Sequence, residues 1–185
     1  MRLFVSVDLP DALADSIRSL QDDLSAASGL RLTDPTQVHV TLVFLGDVDP
    51  ERLPALKREI RAGVDDADLE PFTVRFGGLG VFPSLEYISV VWLGVEAGGD
   101  VLTDLQTSIE NRTTAMGFES NDHEFTPHVT LARIDHAGGK AHVQSLVRER
   151  SPTVGTMEVT SVTLTESTLT RSGSVYETVE EFSLE

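Results

Sequence analysis

The tetrapeptide His39-Val-Thr-Leu42 recurs unchanged as His128-Val-Thr-Leu131, about half of the 185-residue chain further on. Each copy lies in a short apolar run that is typical of a β-strand, where side chains alternate between the two faces of the sheet. The histidine and threonine of each copy therefore share one face, and the valine and leucine anchor the other face in a core. If the two strands lie side by side, both halves of the chain contribute to one cleft.

The repetition of the motif favours a functional interpretation of these residues over a structural one. One His-x-Thr pair is weak evidence, because threonine is common in strands and a lone histidine is more often structural. Matched positions in two matched halves indicate that His39 and His128 are catalytic and that Thr41 and Thr130 bind substrate. Two imidazoles with a pKa near 6.5 can divide acid and base work around neutrality, and hydroxyls can hold phosphate oxygens. The pattern favours an enzyme that acts on a phosphate ester.

A metal site is the rival interpretation of the two histidines. Catalytic zinc usually takes three protein ligands, whereas the companion residue here is threonine, and no Asp or Glu recurs at one offset in both halves. We therefore expect no metal and no cofactor. His123, His136 and His142 have no repeated context and are expected at the surface or in loops.

Three further features carry weaker signals. Arg133 follows His128 by five positions, so strict alternation points it away from the histidines. Arg133 can reach the cleft only if the strand is twisted or bulged near its end. Alternatively, it forms an ion pair at the surface. The Gly77-Gly-Leu-Gly80 segment lacks the Gly-Lys-Ser/Thr of a phosphate loop and is expected to form a turn. Trp92 lies in an apolar strand and is expected in the core.

The composition is acidic, with 30 Asp and Glu against 14 Lys and Arg, a net charge of −16 and no cysteine. The absence of thiols fits a reducing cytoplasm, and the sequence shows neither a signal peptide nor an apolar run long enough to span a membrane. The acidity indicates either an ordinary acidic cytoplasmic protein or adaptation to high internal salt, which we favour. It argues against a broad nucleic-acid groove and leaves recognition of a terminus in a locally positive pocket.

Strand and helix patterns alternate in a similar order in both halves. Strands are predicted at 2–8, 38–45, 72–76, 87–95, 128–134, 157–166 and 175–182, and helices at 12–26, from 50, 100–116 and 141–150. This order predicts an α+β fold with two similar, mostly antiparallel sheets, outer helices and a central cleft. No linker separates the halves, so residues 1–185 are expected to form one domain of two pseudo-symmetric lobes.

The chain resembles the two-histidine (2H) phosphoesterase superfamily, and within it the RNA 2′,3′-cyclic phosphodiesterases once called 2′-5′ RNA ligases. The similarity covers nearly the whole sequence. It includes both motifs in their flanking contexts, His39–Gly46 and Phe125–Arg133. It also includes four other stretches: Arg2–Pro10, Gly78–Pro83, Thr165–Ser167 and Tyr176.

The resemblance implies a bilobed fold and metal-independent hydrolysis of a 2′,3′-cyclic phosphate at an RNA end to a 2′-phosphate. It also implies that His39 is the proton donor and His128 the proton acceptor, which the near-symmetry of the motifs cannot itself decide. Thr41, Thr130 and, more weakly, Arg133 carry over as substrate contacts. The expected partner is RNA with a cyclic phosphate end, met by a cytoplasmic monomer that binds no membrane.

Three other functions remain open on the sequence. The same site can join RNA ends through a 2′-5′ linkage, for instance during tRNA processing, or open another cyclic nucleotide phosphate. A non-catalytic binder of phosphorylated RNA ends is less favoured, because both motifs retain histidine and threonine.

Overall fold

The computed structural model describes residues 1–120, 124–149 and 153–184. These residues form nine strands and four α-helices. They are β1 Arg2–Asp8, α1 Ala14–Leu24, β2 Leu30–Leu32, β3 His39–Asp47, α2 Leu53–Ala67, β4 Phe72–Pro83, β5 Ile88–Ala97, α3 Gly99–Ala115, β6 His128–Ile134, α4 Lys140–Glu149, β7 Thr153–Val159, β8 Ser161–Thr170 and β9 Gly173–Ser183. The predicted α+β class is confirmed.

The strands form an antiparallel sheet in the order β7-β4-β5-β6-β3-β1-β8-β9, with β2 added beside β6. The first lobe consists of β3, β1, β8 and β9, against which α2 and α3 pack, and the second lobe consists of β6, β5, β4 and β7 with α1 and α4. The two predicted sheets are thus the two halves of this one sheet, joined edge to edge. The join is the single residue pair Val40–Val129, which links the two motif strands.

The helices pack on the sheet through apolar stripes. Leu56, Ile60 and Val64 recur at helical spacing on α2 and are buried, as are Leu102, Leu105 and Ile109 on α3. Asp49 begins the short 3₁₀ turn Pro50–Arg52 that leads into α2, and its carboxylate accepts a hydrogen bond from the Glu51 backbone N–H. The core is therefore shared between the helices and the buried face of the sheet, and the opposite face is left free around the join.

The predicted strand over residues 157–166 is two strands. β7 pairs with β4 in the second lobe, and β8 pairs with β1 in the first, so the chain crosses between lobes at Thr160. Apolar residues on both sides of the crossing are buried, and neither glycine nor proline marks it. The short strand β2 was also absent from the prediction.

The predicted glycine-rich turn over residues 77–80 is instead part of β4. Gly78 has φ +78°, and the pairing of β4 with β5 skips residues between Phe76 and Leu79, so the strand is bulged here and not reversed. A Cβ on Gly80 would lie 2.2 Å from the Trp92 ring. Glycine at this position therefore allows β4 to pass close to an aromatic side chain on β5.

Candidate active site

The join between the lobes brings the two His-Val-Thr-Leu motifs together. Val40 and Val129 are opposite one another and fully buried, so the half-buried His39, Thr41, His128 and Thr130 lie on the other face of the sheet. Antiparallel continuation from this pair places Thr41 on the side of His128 and Thr130 on the side of His39. A proton on His128 would lower the pKa of His39, as expected of neighbouring imidazoles.

Each imidazole is held by the same local hydrogen bond. Nδ1 of His39 lies 3.1 Å from the Gln37 carbonyl oxygen, and Nδ1 of His128 lies 2.7 Å from the Thr126 carbonyl oxygen. A carbonyl oxygen only accepts, so Nδ1 carries the proton and donates it in both rings. The Nε2 atom of each ring therefore remains available for proton transfer in the cleft.

Aromatic rings also enclose both imidazoles. The His39 ring stacks on Phe4 with centroids 4.8 Å apart and meets Tyr176 edge to face at 5.2 Å. The His128 ring meets Phe82 edge to face at 4.9 Å and lies 5.9 Å from Trp92. Burial among these groups lowers the pKa of both histidines below the ordinary value of 6.5.

Trp92 is therefore a wall of the cleft, and its predicted place in the core is wrong. It is half-buried and pairs with Thr130 across β5 and β6, whereas its neighbours Val91 and Leu93 are fully buried on the other face. The continuous apolar run hid this alternation.

A bulge places Arg133 on the cleft face of β6. In the pairing with β5, Ala132 is opposite Val91 and Thr130 is opposite Trp92, so Leu131 is an additional residue. Leu131 and Ala132 are both buried and Arg133 is exposed beyond them. The bulge that a cleft position requires is thus present, and the charge of Arg133 lowers the pKa of His128.

The first motif has the same bulge but ends in a different side chain. Leu42 is the additional residue in the pairing of β3 with β1, and the burial pattern of the first six residues is the same in both strands. The position equivalent to Arg133 is Phe44, which is 49% exposed and lies beneath the Arg2 guanidinium at 5.3 Å. The two halves thus share a backbone and differ in charge at this point.

A second difference lies directly beside the histidines. Asp8 is opposite His39 across β1 and β3, whereas Gly94 is opposite His128 across β5 and β6. The Asp8 carboxylate accepts a hydrogen bond from the Ser6 hydroxyl and favours the protonated form of His39, which raises its pKa against the effect of burial. His39 therefore has an anionic neighbour and His128 a cationic one.

The cavity over the first motif has a volume of about 320 Å³. Its walls contain two arginines and no carboxylate in a chain with a net charge of −16: Arg2, Phe4, His39, Thr41, Phe44, Arg133, Ser167, Leu169, Ser174 and Tyr176. These arginines supply the kind of charge that the expected pocket requires, while Asp8 lines the neighbouring cavity at His39. The repeated motif gives no signal for Arg2, Phe4, Asp8 or Tyr176, although strand alternation places Asp8 on the face of Phe4 and Arg2.

The other histidines lie elsewhere. His136 is exposed beside Lys140, and Nε2 of His142 lies 3.1 Å from the Asp23 carbonyl oxygen, while His123 is outside the described residues. Within residues 1–120, 124–149 and 153–184, no group of three or more His, Asp or Glu side chains is arranged to hold a metal ion. In the same ranges, none of the helices combines the length and the apolarity that crossing a membrane requires.

The sequence matches the family model of the 2′-5′ RNA ligase superfamily over residues 9–171. Two proteins named RNA 2′,3′-cyclic phosphodiesterase are similar over nearly their full lengths. The one from Methanothermobacter thermautotrophicus is 35% identical, covering 100% of this chain and 99% of that protein. The one from Archaeoglobus fulgidus is 33% identical, covering 98% and 99%.

Solved structures share the fold. The crystal structure of the Thermus thermophilus protein TT0787 superposes with a TM-score of 0.81 at 30% identity and covers 100% of this chain and 98% of that one. Escherichia coli LigT, crystallised with 3′-AMP, superposes with a TM-score of 0.77 at 24% identity, covering 98% and 97%. The strands and helices of this chain are therefore arranged as in these two solved structures.

Proposed function

The chain belongs to the 2′-5′ RNA ligase superfamily, and from this premise we propose that it hydrolyses terminal 2′,3′-cyclic phosphates of RNA to 2′-phosphates without a metal ion. We further propose that residues 1–185 act as one domain of two pseudo-symmetric lobes, with the reaction at their join. The observation that carries the proposal is the pair of imidazoles, one from each lobe, with the same hydrogen bond at Nδ1 and the same availability of Nε2.

The proposed reaction is an in-line displacement at phosphorus. Nε2 of His128 takes a proton from the attacking water, whose oxygen forms the new bond to phosphorus. The bond from phosphorus to the 3′-oxygen breaks, and that oxygen takes a proton from Nε2 of His39. The product keeps the phosphate on the 2′-oxygen and has a free 3′-hydroxyl. The Thr41 and Thr130 hydroxyls donate hydrogen bonds to the non-bridging oxygens and hold the phosphorus between the rings.

The charges around the histidines support the assignment of acid and base. The proton donor must be cationic before the reaction, and Asp8 opposite His39 favours that form. The proton acceptor must be neutral, and Arg133 near His128 favours that form. Arg133 also contributes a positive charge to the pocket that would receive the phosphate.

Alanine variants of the two histidines test the proposal. His39→Ala and His128→Ala are each expected to lower kcat by roughly 10²–10⁴-fold, because each removes one proton-transfer group. Phosphorus NMR of an oligoribonucleotide with a 2′,3′-cyclic phosphate end, incubated with excess EDTA, reports turnover and identifies the oxygen that keeps the phosphate. His136→Ala is the matched control, since that imidazole lies in another cavity.

Full activity of either cleft variant, or loss of wild-type activity in EDTA, would contradict the proposed mechanism. A stable complex of the wild-type protein with the cyclic end, without product over hours, would favour a non-catalytic binder.

Ligation is the same displacement with an RNA 5′-hydroxyl in place of water. Adding a fragment with a free 5′-hydroxyl and measuring a 2′-5′ linked product distinguishes it, and dilute conditions favour hydrolysis.

A further inference from the structure

Two arginines stand side by side at the edge of the cleft. Arg31 on β2 is directly opposite Arg133 on β6 in the antiparallel pairing, so both side chains are on one face. Both residues are exposed. Like charges at directly opposed positions are destabilising, so an anion bound between or above the two guanidinium groups would stabilise this pair.

The arginine pair borders a groove next to the cavity that holds His39 and Thr41. The side groove is defined by Arg31, Leu32, Thr33, Asp34, Gln37, Arg133, Ser172, Gly173, Ser174, Val175 and Tyr176. Arg133, Ser174 and Tyr176 line both the side groove and the cavity over the first motif, so the two are continuous. A chain whose end reacts at the histidines can therefore extend past Arg133 toward Arg31.

The carboxylates nearby are already engaged. Asp34 accepts hydrogen bonds from the backbone N–H and the hydroxyl of Thr36, at 2.9 and 2.7 Å. Asp135 lies 3.3 Å from one guanidinium nitrogen of Arg31, with both side chains more than half exposed. An exposed ion pair of this kind contributes little and exchanges readily for a phosphate.

Exposed apolar side chains are concentrated on the same surface. Five large apolar residues are exposed in the described part of the chain, and four of them line the cavity over the first motif or the side groove: Leu32, Phe44, Leu169 and Val175. Leu32 and Val175 belong to the side groove. Proteins that bind single-stranded nucleic acid combine a positive groove with aromatic side chains on which bases stack. In the side groove Tyr176 supplies an aromatic ring, and Leu32 and Val175 supply aliphatic surface.

We propose that the side groove binds the nucleotide preceding the reacting one, with the phosphodiester that joins the two held by Arg31 and Arg133 and the preceding base against Leu32 and Val175. The preferred substrate is then an oligoribonucleotide end and not a free cyclic mononucleotide. This inference rests on the proposed function and specifies its substrate.

Three substrates separate the parts of this site: adenosine 2′,3′-cyclic phosphate, the same compound with a 5′-phosphate, and the dinucleotide ApA ending in a 2′,3′-cyclic phosphate. The wild-type kcat/KM is expected to rise about tenfold when the 5′-phosphate is added, the effect of one charge-assisted contact. The second base should add a further, smaller increase.

Variants should change these ratios in opposite directions. Arg31→Gln is expected to lower the ratio of kcat/KM with and without the 5′-phosphate about tenfold. Asp135→Asn, which releases Arg31 from its ion pair, is expected to raise the same ratio. Arg58→Gln, an exposed arginine on α2, loses the same charge and should leave the ratio at the wild-type value.

Equal kcat/KM for all three substrates, or an Arg31→Gln loss of equal size on each of them, would overturn the subsite. Absence of wild-type turnover on all three substrates would instead overturn the proposed function. Val175→Ser adds an independent arm, because it should reduce only the increase that comes from the second base.

Discussion

Two pairs of equivalent residues break the symmetry of the site. Asp8 stands beside His39 where Gly94 stands beside His128, and Arg133 follows the second motif where Phe44 follows the first. The backbone gives both histidines the same orientation, and burial lowers the pKa of each. The neighbouring charges act in opposite directions, since Asp8 raises the pKa of His39 and Arg133 lowers the pKa of His128, as the proposed acid and base require.

Neutralising each charge should move one limb of the pH profile of kcat/KM. Asp8→Asn removes a charge that raises the pKa of His39, so the alkaline limb, where the proton donor is lost, should move to lower pH. Arg133→Gln removes a charge that lowers the pKa of His128, so the acid limb, where the proton acceptor is lost, should move to higher pH. The wild-type optimum is expected below 6.5, because both pKa values are lowered from that value.

Trp92 provides a measurement of His128 that does not depend on activity. It is the one tryptophan of the chain, and its ring lies 5.9 Å from the His128 ring. A charged imidazole quenches indole fluorescence, so the intensity should fall as His128 takes up a proton. The midpoint of this fluorescence titration should rise in Arg133→Gln, and the titration should vanish in His128→Ala.

Asp15→Asn on α1 is the control, and it should change neither the fluorescence titration nor the pH profile of kcat/KM. Movement of the acid limb in Asp8→Asn, or of the alkaline limb in Arg133→Gln, would contradict the assignment of acid and base.

The sequence predicted the paired residues and pointed to Arg133, but it gave no sign of the effect of Asp8. His39, His128, Thr41 and Thr130 are recognisable because a motif is repeated. The effect of Asp8 depends on the register of β1 against β3, and that register is set by bulges and long-range packing. The bulge before Arg133 did leave a trace, since Leu42-Val43 and Leu131-Ala132 are adjacent apolar pairs that interrupt the alternation.

At the scale of elements, β4 and β5 determine where the wall beside His128 lies. β4 approaches β5 at Gly80, over which the Trp92 ring lies, and Phe82 on β4 contacts both that ring and His128. A glycine-rich sequence predicts a turn because glycine favours one, yet here it allows a strand to bend and to pass a large ring. The position of that ring depends on the partner strand and is not visible in residues 77–80 alone.

Gly80→Ala tests this packing. The added Cβ would overlap the Trp92 ring at 2.2 Å, so the ring or the strand must shift. We expect a loss of about 1–3 kcal/mol in the free energy of unfolding, with Tm falling by roughly 2–4 °C per kcal/mol. Trp92 fluorescence should change and kcat should fall, because the ring is displaced toward or away from His128.

Gly99→Ala is the matched control for that substitution. The nearest atoms to its added Cβ are 3.6 Å away, an ordinary contact, and alanine is favoured within a helix. Its Tm and kcat should therefore remain at or above those of the wild-type protein. An unchanged Tm in Gly80→Ala would show that β4 and β5 are not in this close contact.

The course of the chain between lobes could not be derived from local patterns. α1 follows β1 of the first lobe yet packs on the second, and β7 and β8 are adjacent in sequence yet lie in different lobes. The sequence contains an approximate duplication, which predicts two similar lobes. It does not state which strand belongs to which lobe, since that depends on pairing partners far away in the chain.

On the scale of the whole molecule, the net charge is strongly negative, whereas arginines line the cleft. The net charge is −16, while the cavity over the first motif is lined by Arg2 and Arg133, and Arg31 lies next to them in the side groove. Such a distribution repels an RNA strand from most of the surface and admits its end where the arginines lie. It also imposes self-repulsion on the folded state.

Salt should relieve that repulsion and stabilise the protein, as expected of adaptation to high internal salt. The Debye length falls from about 10 Å at 0.1 M to about 3 Å at 1 M ionic strength, so most of the gain should occur in that range. We expect Tm, measured by calorimetry in KCl, to rise steeply up to about 1 M and then level off. A gain that grows linearly with concentration would indicate salt exclusion from the surface instead of screening. A Tm that stays constant or falls would contradict adaptation to high salt, because it would show that repulsion between the acidic residues does not destabilise the folded state.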